Sequence, residues 1–212
     1  MSAPLYCHML IGPPGSGKSA LAQQMQGLIP QSCIISTDQI RQDLYGDPTH
    51  QGPWTDIEAK VKTQICHTLA HGHSIIYDAT NAKRVWRMGL LQSLAPSTPA
   101  WIGWHLTTPL ATCHQWNQQR SRTVPPAVID SLYAALKRFP PHPEEGFVAV
   151  YAIDPHLVDL HLEPSVISAK LAELSRSLTN RANRTYTKSS SKSGVSPREN
   201  STSGLGQGLV LS

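Results

Sequence analysis

The stretch Gly12-Pro13-Pro14-Gly15-Ser16-Gly17-Lys18-Ser19 constrains this chain more than any other, because it fits the phosphate-loop pattern GxxxxGK followed by Ser or Thr. Its glycines let the backbone turn sharply with N–H groups facing inward, and a following helix N-terminus adds partial positive charge where phosphates would sit. Lys18 is placed to reach the β- and γ-phosphates of a nucleotide, and Ser19 to hold magnesium through its hydroxyl. Pro13 and Pro14 cost little, since the donors the loop needs come from Gly15 onward. The fixed positions alone would arise by chance in on the order of one chain in a hundred, so context has to carry the match. The apolar run 5–11 before the loop reads as a buried strand and 19–25 after it as a helix, the order such a loop requires. The same residues also spell GxGxxA, from Gly15 through Gly17 to Ala20, with Asp38 closing the next strand. A dinucleotide loop has no use for the Gly-Lys-Ser triplet, which decides for the phosphate loop.

At 212 residues and 40% apolar content the chain has enough material for one α/β domain plus an unstructured remainder. The formal charge of +4 suggests a polyanion partner, but its distribution corrects that. From Arg176 onward there are six Lys/Arg against one acid, so residues 1–175 carry 12 − 13 = −1. Any polyanion bound by the folded part must be met by a local basic patch. Cys7, Cys33, Cys66 and Cys113 show no CxxC spacing, and no basic-then-apolar leader opens the chain, which points to a reduced, cytoplasmic protein. No apolar run approaches a membrane span. His67, His71 and His73 stand near metal-ligand spacing, but a polar helix end explains them more simply.

Strand and helix patterns then alternate. Residues 32–36 form a second strand running into Thr37-Asp38-Gln39-Ile40-Arg41, where Ser36 or Thr37 can cap a helix. Asp38 and Arg41, three apart, would share one face beside the carboxyl edge of the sheet, where α/β folds bind ligands. Residues 45–53 read as a mobile turn-rich loop, followed by a helix of about 15 residues with Ile57, Val61, Ile65 and Leu69 on one stripe. The strand 73–77 ends in Asp78-Ala79-Thr80-Asn81, and an acid there can organise a metal's water shell. A helix at 82–94 carries Lys83, Arg84 and Arg87, and the strand 100–106 has Trp101 and Trp104 as packing residues. Helices at 109–119 and 127–138, the second with Val128, Leu132 and Leu136 inward, flank Arg120 and Arg122 and read as a lid. Two solvated surface charges are the alternative account of those arginines. Residues 147–153 give a fifth strand. Singly alternating elements imply a parallel sheet of about five strands with helices on both faces, the three-layer P-loop fold. The expected organisation is a P-loop domain at 1–155, a helical extension at 156–178 and a disordered basic Ser-rich tail at 179–212.

Read together, four blocks resemble the polynucleotide-kinase-like branch of the P-loop kinases, typified by phage 5′-polynucleotide kinase: GPPGSGKS, STDQIRQDLYGD, IIYDATN with the helix after it, and NQQR with VPPAVI. The resemblance runs from about residue 5 to 152. It implies that Lys18 and Ser19 bind ATP and magnesium, and that Asp38 is the general base on an acceptor hydroxyl. It further implies that Arg41 holds the acceptor's neighbouring phosphate and that Arg120 is the lid arginine. The segment between Arg120 and Val124 is one residue shorter than in the phage enzyme, so Arg120 and Arg122 both compete for the lid position. The implied activity is ATP- and Mg2+-dependent transfer of a γ-phosphate to a polynucleotide 5′-OH of RNA or DNA. A small-molecule acceptor, and a non-catalytic ATP-dependent switch, are the alternatives.

Overall fold

The computed structural model describes residues 5–95 and 98–154, together with 168–170, 172, 173 and 176. The strands β1 (Cys7–Ile11), β2 (Ser32–Ser36), β3 (Ser74–Asp78), β4 (Trp101–Leu106) and β5 (Ala149–Ile153) lie in the order β2-β3-β1-β4-β5, every neighbouring pair parallel. Between them run α1 (Lys18–Leu28), α2 (Thr37–Tyr45), α3 (Trp54–Ala70), α4 (Arg84–Leu94), α5 (Leu110–Gln118) and α6 (Pro126–Arg138). The chain moves from β1 outward to β2 through α1, then back through α2 and α3 to β3, and on through α4 past β1 to β4. With right-handed crossovers that reversal sets α1 on one face of the sheet and α3 and α4 on the other. This is the expected three-layer fold.

Side-chain alternation follows the layers. Cys7, Met9 and Ile11 of β1 share a core cluster with Ile57, Val61 and Ile65 of α3 and Leu90, Leu91 and Leu94 of α4. Leu10 is as deeply buried but outside that cluster, so the period of two turns it, with His8, toward the opposite face. His8 Nδ1 there accepts a hydrogen bond from Trp104 Nε1 at 3.1 Å, and burial lowers its pKa to about 3, so it stays neutral. Trp101 and Trp104 are 4% and 0% exposed, packing residues as expected.

Three local expectations change. On α6 the buried residues are Ile129, Leu132 and Leu136, while Val128 is 43% exposed, because Ile129 falls on the narrow arc that Leu132 and Leu136 share and Val128 falls to its side. The loop after α2 is tied down: Asp47 accepts from Thr49 N and Thr49 Oγ1 at 2.7 Å each, and the His50 ring stacks 4.5 Å from that of Tyr45. Arg87, grouped by its sequence with two surface cations, is completely buried. The expected extension and tail lie outside the described residues, apart from the six positions between 168 and 176, which are helical. Among the described residues no helix is long and apolar enough to cross a membrane.

Candidate functional site

The direction of travel through the sheet reverses between β1 and β3, and the crevice at their carboxyl ends is where an open α/β sheet offers a ligand site. The loop 12–19 leaves β1 there. Gly15 and Gly17 have φ of 78° and 91°, conformations that other residues adopt only with strain. Gly15 also presses against the backbone of Cys113 on α5, where a side chain would collide. The loop is fastened from outside: Gly12 N donates to Thr80 O at 3.1 Å, and the buried Thr108 donates its hydroxyl to Ser16 O at 2.8 Å. Ser16 Oγ is buried without a hydrogen-bond partner.

Lys18 opens α1 and turns its ammonium back to donate to Pro13 O at 2.8 Å. The residue keeps some exposed surface, yet its charged end is enclosed, and desolvation lowers its pKa to about 8. Asp78 opposes that shift and Arg120 adds to it, with smaller opposing effects from Cys113 and Asp38. One residue on, Ser19 Oγ donates to Asp78 Oδ2 at 2.8 Å, bringing the P-loop and the end of β3 together. The block Asp78-Ala79-Thr80-Asn81 thus does three jobs. Asp78 meets Ser19, Thr80 O accepts from Gly12, and Asn81, at φ 47°, donates Nδ2 to Leu10 O at 2.8 Å.

On the other side of the cleft, β2 runs directly into α2. Ser36 stands at the N-cap with no side-chain cap bond, and Asp38 lies in the first turn. Asp38 Oδ1 accepts from Arg41 Nη1 at 2.9 Å, the i,i+3 pair the sequence anticipates. Its other oxygen lies 3.5 Å from Arg122 Nη1, which also donates to Pro48 O at 3.0 Å. Arg122 therefore links the α5–α6 connection to both the acid and the loop after α2. Arg120 is exposed and acts on Lys18 through its charge. A cleft of about 400 Å³ joins the two halves, lined by Ser19, Asp78 and Gln23 on one side and Asp38, Gln39 and Gln42 on the other.

Two side chains that organise this arrangement escape a reading of the sequence. Asn117, at the end of α5, donates Nδ2 to Val124 O and accepts from Val124 N, both at 2.9 Å, closing the loop that carries Arg120 and Arg122. Arg87 uses every donor it has: Nε and Nη2 grip Glu145 at 2.6 and 2.7 Å, Nη1 donates to Asn81 O and Ala82 O, and Nη2 to Phe139 O. It thereby fixes the connection that begins at Asp78. His67 and His71 stack with ring centroids 4.3 Å apart, and no cluster of three or more His, Cys, Asp or Glu positioned for a metal occurs among the described residues.

The fold, the glycine-strained loop after β1 and the Ser19–Asp78 contact define a P-loop nucleotide-binding domain. A family model described as an AAA domain matches residues 7–139, and the chain belongs to that family. No curated protein matches it in sequence. Among solved structures it is similar to Kti12 of Chaetomium thermophilum in complex with ADP-AlF3, with TM-score 0.60, 14% identity, and coverage of 79% of this chain and 98% of that one. It is likewise similar to the tunicamycin resistance protein of Deinococcus radiodurans, with TM-score 0.57, 15% identity and coverage of 79% and 96%. A chain of the Pnkp1/Rnl/Hen1 RNA repair complex matches with TM-score 0.55 and 19% identity over 63% of this chain, which spans only 44% of that one. At these identities the likeness is one of fold.

Proposed function

We propose that the protein transfers the γ-phosphate of ATP, with magnesium, to a hydroxyl acceptor, and that the acceptor is the 5′-OH of a polynucleotide. The observation that carries this reading is the shared cleft, lined by Ser19 and Asp78 at one side and Asp38 at the other. The residues fit the groups they would hold. A buried serine hydroxyl without a partner and a lysine at the mouth of a strained glycine loop suit a phosphate chain, Lys18 toward its β/γ end. Ser19 and Asp78 offer hard oxygens in the small number that magnesium takes from protein, the rest coming from phosphate and water. Magnesium supplies charge neutralisation on the phosphates.

Asp38 takes the proton as the acceptor oxygen bonds to phosphorus and the bond to the departing ADP oxygen breaks. Arg41 sits beside the acid, ready for a phosphate next to the acceptor hydroxyl. Arg120 and Arg122, on the loop closed by Asn117, bring positive charge over the cleft. The similarity in fold to a chain of an RNA repair complex supports a polynucleotide acceptor. The neutral amides of Gln23, Gln39 and Gln42 in the cleft favour a second reading, transfer to a small polar alcohol, with which the fold of the tunicamycin resistance protein agrees. A non-catalytic switch has no use for an acid and arginine on the acceptor side of the cleft. Incubation with γ-labelled ATP, magnesium and a panel of 5′-OH oligonucleotides and small alcohols decides: label on the oligonucleotide supports the proposal, label on an alcohol supports the second reading, and no label removes both.

A further inference from the structure

Outside the cleft, the first turn of α4 and the last turn of α6 carry a surface the proposed chemistry does not use. Lys83, Arg84 and Trp86 are exposed on the first, and Lys137, Arg138 and Phe139 on the second. Trp86 and Phe139 are 44% and 45% exposed, costly surface for residues of this size to leave in water. Each ring is covered by a cation: Lys83 Nζ lies 4.8 Å from the centroid of Trp86, and the Arg138 guanidinium 5.2 Å from that of Phe139. The two turns are locked together from beneath, since Arg87, next to Trp86, donates to Phe139 O at 3.0 Å and Arg84 Nε lies 3.7 Å from Glu145 Oε1. Glu145 is buried and held by Arg87, and the exposed Glu144 lies 3.6 Å from His142 Nδ1.

We infer that this surface binds single-stranded nucleic acid, with Trp86 and Phe139 stacking bases and Lys83, Arg84, Lys137 and Arg138 meeting the phosphates between them. The charge makes the case. Residues 1–175 have 12 cations against 13 acids, yet four of those cations stand on these two helix ends. An exposed cation resting on a ring is a weak pair, so a base can take the ring face while the cation turns to a phosphate. A platform of aromatic faces framed by cations suits an unpaired strand, because a duplex keeps its bases stacked inside. A protein partner would gain less from a surface this basic. The inference does not depend on transfer chemistry.

The test is fluorescence anisotropy on the full chain without ATP, using a 3′-fluorescein-labelled single-stranded 12-mer of DNA and of RNA and the matching duplexes. The single strands should bind more tightly than the duplexes. Trp86→Ala and Phe139→Ala should each weaken single-strand binding roughly tenfold with little change in melting temperature, as stacking on an exposed ring requires. Lys83→Ala with Arg138→Ala should flatten the dependence of log K on log salt by about 0.7 for each phosphate that is no longer neutralised. Equal affinity for single and double strands, or ring variants that bind like the parent, overturns the inference and assigns the surface to a protein contact. Because the readout is binding, it fails or succeeds separately from the kinase reading.

Discussion

Lys18 shows how one side chain's surroundings set a pH dependence. Desolvation lowers its pKa to about 8 from the ordinary 10.5, while the neighbouring Cys113 thiol, pushed up to about 11 by burial, stays neutral over the same range. A triphosphate needs the ammonium, so binding above pH 8 must take up a proton. ATP affinity should therefore be level below about pH 8 and fall as pH rises, approaching tenfold per unit, and Lys18→Met should bind weakly with that dependence gone. Titration of a fluorescent ATP analogue from pH 7 to 9.5 checks both. Stability has the opposite sign: between the folded value near 8 and the unfolded value near 10.5 the unfolded chain binds more protons, so the fold gains stability with rising pH across that window. Asp38 allows a sharper separation. If it only favours the first turn of α2, Asp38→Asn gives up a charge worth about 0.3–1 kcal/mol beside the helix N-terminus and leaves turnover near the parental rate. As the base, it should leave ATP binding intact while transfer falls by about two to four orders of magnitude, read from equilibrium binding and turnover on one preparation. A variant with near-parental turnover would sink the mechanism.

Elements matter here through their junctions. Asn117 closes the α5–α6 loop by pairing both polar atoms with the backbone of Val124, so Asn117→Ala should loosen Arg120 and Arg122 together. Turnover should drop far more than ATP affinity, because a lid arginine acts mainly on transition-state charge, where it can be worth about 10³–10⁵-fold. The split between turnover and affinity distinguishes this from simple unfolding, and comparison with Arg120→Ala and Arg122→Ala shows which arginine carries the effect. Arg87 is the counterpart on α4. Removing it strands Glu145 and three backbone carbonyls in the interior, and Arg87→Ala should cost about 3–5 kcal/mol in a denaturant titration. These junctions also mark where the sequence stops being readable. The glycine loop, the i,i+3 pairing of Asp38 with Arg41 and the alternation of strands and helices are local patterns, and the chain displays them openly. The Arg87 to Glu145 pair spans 58 residues and Thr108 to Ser16 spans 92, so no periodicity connects them before the sheet brings them together. Val128 and Ile129 differ by one position on a helix, too little for spacing alone to say which faces inward.

At the scale of the whole molecule, charge is divided rather than spread. Residues 1–175 carry −1, and the six cations against one acid from Arg176 onward supply the +4 of the chain. Two basic regions could therefore draw a polyanion: the platform on α4 and α6, where aromatic rings accompany the cations, and the C-terminal stretch, which from Arg176 onward has one aromatic residue, Tyr186. They differ in what they can discriminate. A stretch of cations attracts single and double strands alike through counterion release, with an affinity that falls steeply with salt. Stacking on Trp86 and Phe139 requires unpaired bases and is less sensitive to salt. Deleting residues 180–212 should thus lower the affinity for duplex and single strand together at low salt, while the preference for single strand persists and becomes easier to see. ATP affinity and the melting temperature should stay within error of the full chain, because every element that lines the cleft lies before residue 155. If the deletion abolishes the single-strand preference while leaving ATP binding intact, strand selectivity resides in the C-terminal stretch and the platform is not its source.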